Sequence, residues 1–374
     1  RIRSYFWMFQ SNSTFGIYST SLTVLFRHKK YLFFILFLIL YPVLLIINRI
    51  FLFLDYILVP EFEKAKVKEP IFIMGVNRSG TTFFHKLLAS SNQFSTSKTW
   101  DLIIPSISLR KFLSILSYAL TYFKIDQIEK KNKGHQVKLD NVEEDEMLLF
   151  IHKLDSLWIS NHFIPWLKFD SKTKDFMKYV YRDNSKNENR NIRSMLFCKD
   201  FFQRQAFLNK NRPHLSKSNP FIFKIDSILR VFPDAKFVFL VRDPLETLPS
   251  YFSLQENVKF GNLLSDKEMK LLRKETYAEV IEWYKETEKV KSKLNKKQFI
   301  TLTYPQITND LENSIKSFYK FTGKKMTLKF QKQVSDYASK KYVKKHQNKT
   351  IEDYGFTKKQ ILNDFDFVYQ EYFV

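Results

Sequence analysis

The stretch that decides the fold is residues 70–89, which read Pro-Ile-Phe-Ile-Met-Gly-Val-Asn-Arg-Ser-Gly-Thr-Thr-Phe-Phe-His-Lys-Leu-Leu-Ala. An apolar run of strand type, residues 71–76, leads into a polar loop, and apolar residues at helical spacing follow. A strand, a loop of small residues and a helix start are typical of a phosphate-binding site, because free backbone N–H groups and the positive helix end both face the anion. Arg78 adds a fixed charge with a forked set of donors.

The spacing of Gly75 and Gly80 is that of nucleoside-triphosphate P-loops, but the next residue differs. Those loops carry lysine after the second glycine, and that lysine contacts the β and γ phosphates. Here Thr81 takes the place of the lysine, and the cation lies three residues earlier, at Arg78. A P-loop kinase or NTPase is therefore an alternative interpretation, although this chain lacks the lysine that such enzymes carry. A nucleotide that carries a 5′-phosphate group still suits the loop.

A second element lies at residues 233–250, Pro-Asp-Ala-Lys-Phe-Val-Phe-Leu-Val-Arg-Asp-Pro-Leu-Glu-Thr-Leu-Pro-Ser. The run 236–241 predicts a short buried strand, Arg242 stands at its end, and Ser250 follows about two helical turns later. An arginine at a strand end and a serine on the next helix can converge on one phosphate. A surface Arg–Asp pair before a helix is the other interpretation.

Together the two elements resemble the sulfotransferase superfamily that uses 3′-phosphoadenosine 5′-phosphosulfate (PAPS). The first is similar to its 5′-phosphosulfate loop, Pro-Arg/Lys-Ser-Gly-Thr-Thr, with Asn77 in place of the proline. The second is similar to its 3′-phosphate element, an Arg followed eight residues later by a Ser. The resemblance is to the bacterial-type branch with Arg in the loop, and it extends in order over residues 68–374. Further matching stretches are 94–101, 143–146, 215–220, 302–304 and 353–356.

The resemblance implies a P-loop-like sulfotransferase fold with PAPS as co-substrate and no metal ion. The residues it assigns to the 5′ end of the donor are Arg78, Ser79, Gly80, Thr81 and Thr82, and those it assigns to the 3′-phosphate are Arg242 and Ser250. Arg78 is also expected to stabilise negative charge on the leaving phosphate. Lys217 is expected to approach the sulfonate or the bridging oxygen. Its other interpretation is a surface lysine in a polar loop.

The catalytic base has several candidates. Many relatives carry the motif Thr-Pro-Glu-Thr-Trp-Glu after the loop helix. In this chain Lys98 replaces the first Glu of that motif, and Asp101 lies close by. Glu143 and Glu144 open a predicted helix, and clustered acids there can raise one pKa toward neutrality. Acids favoured by the helix dipole are the plainer interpretation of both. His85, on the helix after the loop, is a further candidate or a packed histidine.

Alternation of strands and helices predicts an α/β domain whose central parallel sheet is flanked by helices, with ligands at the carboxyl ends of its strands. The predicted strands are 71–76, 221–225, 236–241 and 298–303, and the main predicted helices are 142–153, 173–182, 195–209 and 267–293. Residues 209–219 are polar and predicted as a loop. The expected organisation is an N-terminal membrane-anchoring segment, residues 1–67, followed by a sulfotransferase domain, residues 68–374.

Within the anchoring segment, residues 31–59 are the one obvious membrane candidate. They predict either a single-pass helix or a kinked helix embedded in the interface, because Arg49 interrupts the run and basic residues lie on both sides. A core helix of a soluble protein is the third interpretation. The net charge of +23 favours an anionic membrane face and an anionic donor. No nucleic-acid motif accompanies it, so no nucleic-acid partner is expected.

Cys198 is the single cysteine, so no intramolecular disulfide can form, and a catalytic domain that faces the cytosol is expected. The seven histidines lack metal-ligand spacing, and no metal is expected. The function expected is transfer of a sulfuryl group from PAPS to a hydroxyl group on a membrane-borne glycan or lipid. The alternatives are a P-loop kinase or NTPase and a non-catalytic membrane protein with a degenerate nucleotide fold. The acceptor and the oligomeric state are not indicated by the residues.

Overall fold

The computed structural model of the chain describes residues 13–122, 142, 145–260, 263–339 and 349–373. These residues belong to two compact units. Of the described residues, those within 1–67, 95–214 and 226–231 form the helical unit, and those within 68–94, 215–225 and 232–374 form the sheet unit. Each is described by itself below. The division into an anchoring segment and a domain at residues 67 and 68 stays a prediction.

The regular elements run as follows. The strands are β1 Ile71–Gly75, β2 Leu215–Lys217, β3 Lys236–Val241 and β4 Phe299–Thr303. The helices are α1 Thr14–Arg27, α2 Tyr31–Leu58, α3 Thr81–Ala89, α4 Thr99–Ile103, α5 Ile107–Tyr122, α6 Lys174–Val180, α7 Glu188–Leu208, α8 Ile225–Val231, α9 Pro244–Leu254, α10 Asp266–Lys293, α11 Tyr304–Asn309, α12 Leu311–Thr322, α13 Leu328–Ala338, α14 Lys358–Asp364 and α15 Asp366–Tyr372. Short 3₁₀ helices lie at Pro60–Lys64, Glu146–Lys153, Pro165–Lys168, Asn219–Lys224 and Glu352–Tyr354, and π-helical turns at Ile159–Phe163 and Gln255–Phe260.

The sheet unit is built on four parallel strands in the order β2-β1-β3-β4. Ile73 of β1 pairs with Lys217 on one side and Val238 on the other, and Val238 pairs in turn with Ile300. All five residues of β1 are buried, as expected for a parallel strand that is covered on both faces. Side chains from β1, β3, α3 and α12 share one apolar core. The predicted α/β class, a central parallel sheet flanked by helices, is therefore confirmed.

One predicted strand is wrong. The run 221–225 forms the end of the 3₁₀ helix Asn219–Lys224 and the start of α8, whereas the strand next to β1 is Leu215–Lys217, inside a predicted loop. Pro220 stands at the start of the 3₁₀ helix, where its missing N–H costs nothing. Phe221 is buried because its ring packs against Phe72. A short apolar run indicates that a segment is buried, but it does not distinguish a strand from a helix.

The helical unit contains α2, which has 28 residues and Pro42 inside it. Among the described residues it is the one helix long and apolar enough to cross a membrane, and its most apolar stretch has a mean hydropathy of 2.5. Only 11% of that stretch is buried, unlike the core helix of a soluble protein. The predicted helix 142–153 is a 3₁₀ helix that begins at Glu146, because the Asp145 side chain accepts from the N–H of Met147 and caps it there.

Candidate anion-binding site

The loop after β1 folds back tightly onto the end of the strand. A Cβ atom on Gly75 would lie 2.4 Å from Ser79 Oγ and 2.6 Å from the Leu240 carbonyl oxygen, so only glycine fits there. The N–H of Ser79 donates to the Val76 carbonyl over 3.1 Å and closes the turn. The first glycine of the sequence pattern is therefore explained by a close approach of the loop to β1 and β3.

The loop then forms a concave run of backbone. Arg78 has φ +76° and Gly80 has φ +92°, so two left-handed residues flank Ser79. Left-handed residues that alternate with right-handed ones turn successive N–H groups toward the same side, which makes a nest for an anion. α3 begins directly afterwards at Thr81, and the first N–H groups of a helix have no partner inside it. The loop and the helix start together form a cradle suited to a phosphate group.

Ser79 and the two threonines contribute hydroxyl groups to this cradle. Ser79 is fully buried, and within the described residues its Oγ has no hydrogen-bond partner. A buried hydroxyl without a partner costs free energy unless a bound group satisfies it. Thr81 is 3% exposed and Thr82 is half-buried, and they occupy the first two positions of α3. The cradle and the unpartnered hydroxyl fit a phosphate or phosphosulfate group.

The two phosphate elements of the sequence meet in the sheet unit. Arg78 Nε donates to Ser250 Oγ over 3.1 Å, and Arg242 Nη1 donates to the Arg78 carbonyl oxygen over 2.8 Å. The meeting follows from topology, because β1 and β3 are neighbours in a parallel sheet and their carboxyl ends share one edge. Arg78, Arg242 and Ser250 thus form one connected cluster, although 164 residues separate Arg78 from Arg242.

Arg242 is held on several sides and is only 9% exposed. Its Nε and Nη2 donate to Glu246 Oε2 over 3.1 and 2.9 Å. Its guanidinium carbon lies 4.1 Å from the centre of the Tyr304 ring. The hydroxyl of Tyr284 donates to the backbone carbonyl oxygen of Arg242 over 2.5 Å. Arg242 is therefore a preorganised cation with an aromatic wall, which suits the recognition of a nucleotide phosphate.

The start of α9, the helix that carries Ser250, is fixed by Asp243 and Pro244. Asp243 caps α9, since its carboxylate accepts from the N–H of Leu245 over 2.8 Å, and Pro244 occupies the first helical position. The hydroxyl of Tyr369 donates to the same carboxylate over 2.6 Å. Ser250 then lies on α9, 5% exposed, with its hydroxyl on Arg78. The Arg-Asp-Pro sequence is thus explained as strand end, cap and helix start.

Lys217 stands at the end of β2, next to β1, and is 5% exposed. It is therefore not a surface lysine. The N–H of Ser218 donates to the Ile73 carbonyl, which keeps this chain segment against β1. The carboxyl ends of β2, β1 and β3 thus bring Lys217, Arg78 and Arg242 to one edge of the sheet.

The candidate bases that the structure describes, Asp101 and His85, belong to different units. Glu143 and Glu144 lie outside the described residues. Asp101 belongs to the helical unit, where its carboxylate accepts from the N–H of Lys98 over 2.9 Å and forms an ion pair with Arg110. His85 is 2% exposed in the sheet unit, and its Nε2 contacts the Leu215 carbonyl at 3.1 Å.

One cluster was missed by sequence reasoning. In the helical unit, Glu146 Oε1 accepts from Ser97 Oγ over 2.5 Å and contacts His214 Nε2 at 2.7 Å, and all three residues are buried. These residues are 49 and 68 positions apart, and no local pattern links them. Glu146 ends the acidic run 143–146, and that run was the available signal. Nearby, burial foremost and then the charge of Glu146 raise the pKa of the Cys198 thiol, as expected of a core thiol.

Metal binding finds no support among the side chains that the structure describes, since no group of three or more His, Cys, Asp and Glu residues could hold an ion there. The residues gathered at the sheet edge are instead cations, hydroxyls and backbone N–H groups. This donor set suits an anion.

Comparison with known proteins adds a family match. The family model described as "Sulfotransferase family" matches residues 70–327. The omega-hydroxy-beta-dihydromenaquinone-9 sulfotransferases Stf3 of Mycobacterium bovis and Mycobacterium tuberculosis align over 261 residues at 21% identity, which covers 70% of this chain. The aligned segment spans 64% of the length of those relatives.

Two solved structures are similar in fold. The sulfotransferase STF1 from Mycobacterium tuberculosis H37Rv superposes with a TM-score of 0.67 at 14% identity, covering 94% of this chain and 90% of that one. The sulfotransferase STF9 from Mycobacterium avium superposes with a TM-score of 0.65 at 17% identity, covering 86% and 81%. At such identities the likeness concerns the fold alone.

Proposed function

The chain belongs to the sulfotransferase family, and from that premise we propose that it transfers a sulfuryl group from PAPS to a hydroxyl group of a membrane lipid. The observation that carries the proposal is the connected cluster of Arg78, Ser250 and Arg242 beside the backbone cradle. Two cationic groups at one sheet edge match a small molecule with phosphate groups at two ends. A single-phosphate nucleotide would need only one of them.

In this proposal the cradle of residues 78–82 holds the 5′-phosphosulfate, and Arg242 with Ser250 holds the 3′-phosphate. The oxygen of the acceptor hydroxyl attacks the sulfur, and the bond between sulfur and the bridging oxygen of the 5′-phosphate breaks. The leaving group is 3′-phosphoadenosine 5′-phosphate (PAP). Arg78 and the N–H groups of the cradle stabilise the charge that grows on it. Lys217 supports the same step at the bridging oxygen.

The hydroxyl proton leaves to a carboxylate, for which Glu143, Glu144 and Asp101 are the candidates. Glu144 is our first choice, because the ion pair of Asp101 with Arg110 and its bond to the Lys98 N–H already engage that carboxylate.

A lipid acceptor is favoured over a glycan by two observations. The relatives named above are sulfotransferases for a menaquinone derivative, which is a lipid with a terminal hydroxyl. The helical unit also exposes a long apolar helix, α2. We further propose that the catalytic part faces the cytosol, in keeping with a single buried cysteine.

The donor is tested by thermal unfolding in the presence of PAP, adenosine 5′-diphosphate or ATP. A ligand at 100 times its Kd stabilises the native state by about 2.7 kcal/mol. We expect PAP to raise the Tm at concentrations where ATP and adenosine 5′-diphosphate do not. Equal or greater stabilisation by ATP would support the kinase or NTPase alternative instead.

The reaction is tested with ³⁵S-labelled PAPS and total membranes. We expect the label to move into a fraction that organic solvent extracts, and we expect Arg242→Ala to reduce this transfer at donor concentrations that only just saturate the wild type. Label in a solvent-insoluble glycan fraction would identify the other acceptor class. Binding of PAP without any transfer would support the non-catalytic alternative.

A further inference from the structure

One face of α2 packs on its own unit along the whole helix. At the N-terminal end the rings of Phe33 and Trp166 lie 6.0 Å apart. In the middle the hydroxyl of Tyr41 donates to the Ile151 carbonyl over 2.8 Å. Near the C-terminal end Asp55 is fully buried against other helices. Phe33 and Asp55 are 22 positions apart, which corresponds to about 33 Å of helix. The packed length therefore exceeds the hydrocarbon thickness of a bilayer, about 30 Å.

The C-terminal end is anchored by a buried ion pair. Asp55 Oδ2 accepts from Arg204 Nε over 2.8 Å, and both side chains are fully buried. The same carboxylate accepts from the N–H groups of Ile107 and Ser108 over 3.0 and 2.8 Å. Pulling α2 away from α5 and α7 would deprive the buried Asp55 carboxylate of Arg204 and of both backbone donors, which is strongly unfavourable. Arg204 would keep its second ion pair, with Asp200 of the same helix. α2 is thus fixed lengthwise to the unit, and cannot leave it to cross a bilayer alone.

The opposite face of α2 is exposed and apolar. Fifteen large apolar side chains of this helix are each more than 40% exposed, among them Leu32, Ile39, Ile46 and Phe53. Phe112 and Ile115 of α5, which are 56% and 71% exposed, extend this surface beside Phe51. Soluble monomers rarely expose apolar patches larger than about 600 Å², so such a face calls for an apolar partner.

The charges around this face are basic. Between residues 13 and 58 the charged residues are Arg27, Lys29, Lys30, Arg49 and Asp55. Asp55 is the only acid among them, and it is paired with Arg204. Arg27 is paired with the buried Asp170. The remaining positive charges are Lys29 and Lys30, just before the helix, and Arg49 within it. An apolar face edged by lysine and arginine is typical of helices that lie in an anionic membrane surface.

We propose that α2 is not a spanning helix but lies in the plane of a bilayer that contains anionic lipid, with its exposed face among the lipids and both ends on the same side. Long basic side chains such as Arg49 can extend from the apolar surface to the lipid headgroups. The helical unit then rests on the membrane through α2 and the start of α5. This binding needs no PAPS and no turnover, so its tests are independent of the proposed reaction.

The first test is flotation of the full chain with vesicles of phosphatidylcholine and phosphatidylglycerol. The variant Leu32→Gln/Ile39→Gln/Ile46→Gln/Phe53→Gln alters exposed side chains at seven-residue intervals along one face. The matched control, Leu271→Gln/Leu328→Gln/Leu362→Gln, alters exposed side chains of the sheet unit. We expect the wild type and the control to float and the variant to lose at least 10-fold in bound fraction.

Equal flotation of the variant and the wild type would overturn the proposal. So would a wild type that ignores vesicles but forms a dimer that the variant dissociates, because the face would then join two copies. Circular dichroism and PAP binding check that the variant is folded, and the replaced side chains, being exposed, make unfolding unexpected.

The second test separates an in-plane helix from a spanning one. Single cysteines are introduced as Ser13→Cys, before α1, and Lys64→Cys, after α2, in a Cys198→Ala background. The chains are inserted into sealed vesicles and treated with a maleimide that cannot cross the bilayer. We expect the two positions to be labelled to the same extent. Labelling of one position, with the other protected until detergent is added, would show a spanning helix and overturn the proposal.

Discussion

The anion cradle of the sheet unit and the acidic side chains of the helical unit obtain their partners in different ways. The cradle is made within six residues, because Gly75, Arg78 and Gly80 set its backbone and α3 starts at once. The carboxylates of Asp101 and Glu146 are bound by side chains from other elements, Arg110 in one case and Ser97 and His214 in the other. A cradle built from backbone is therefore determined by a short stretch of sequence. The hydrogen-bond and ion-pair partners of a carboxylate depend instead on how other segments pack.

The largest effect is expected from the base. Glu144→Gln should lower turnover by about 10²–10⁴-fold, since a general base contributes about that much, while PAP affinity stays unchanged. Steady-state rates with saturating PAPS and calorimetric titration of PAP measure the two effects. Glu312→Gln, at an exposed glutamate of α12, is the control variant. Full activity of the Glu144 variant would move the base to Glu143 or Asp101.

A second prediction concerns His152, a buried histidine of the helical unit whose pKa makes the stability of the protein depend on pH. Burial lowers the pKa of His152 from 6.5 to about 4, although the ring contacts the Leu102 carbonyl at 3.0 Å. Between these pH values the unfolded chain binds a proton that the folded chain does not. Stability should therefore fall as the pH drops from about 6.5 to 4, by about 3 kcal/mol in total.

Urea unfolding of the wild type and His152→Gln across this pH range measures the effect. Gln can still donate to the carbonyl but does not titrate. The difference between the two proteins should be constant above pH 7 and should shift in favour of the variant as the pH falls. Parallel curves would contradict the prediction.

Arg242→Ala should weaken PAP binding by about 1.5–3 kcal/mol, through loss of a charged hydrogen-bond partner. The matching ligand control is adenosine 5′-phosphosulfate, which lacks the 3′-phosphate and should bind both proteins alike. Arg230→Ala, an exposed arginine of the helical unit, is the control variant. Calorimetry gives both affinities, and equal losses for the two ligands would argue against a 3′-phosphate site at Arg242.

The smallest effect is expected from Ser250→Ala, which removes one neutral hydroxyl and should weaken PAP binding by about 1 kcal/mol. The same variant also deprives Arg78 Nε of its 3.1 Å partner. Ser253→Ala, three residues later on α9, serves as the comparison. No measurable change on Ser250→Ala would mean that Arg242 alone holds the 3′-phosphate.

The sequence predicted what is local and missed what is long-range. The cradle, the two strands that lead into its arginines and the parallel sheet could be predicted, because glycine spacing and strand–loop–helix order occur within short windows. The strand at Leu215–Lys217 was missed, since three residues carry no periodicity. The bonds of Glu146 to Ser97 and His214 could not be predicted, because they depend on how distant segments pack.

The hydrogen bond from Arg242 to the Arg78 carbonyl also couples the two phosphate elements energetically. Arg242 holds the backbone of the loop after β1, and Arg78 in turn holds Ser250 on α9. Replacing either arginine disturbs the partner's half of the cluster, so single replacements overstate what each side chain gives to the ligand. Their free energies should fail to add, and a double-mutant cycle on Arg78 and Arg242 should return a sizeable interaction energy even with a ligand that reaches only one half.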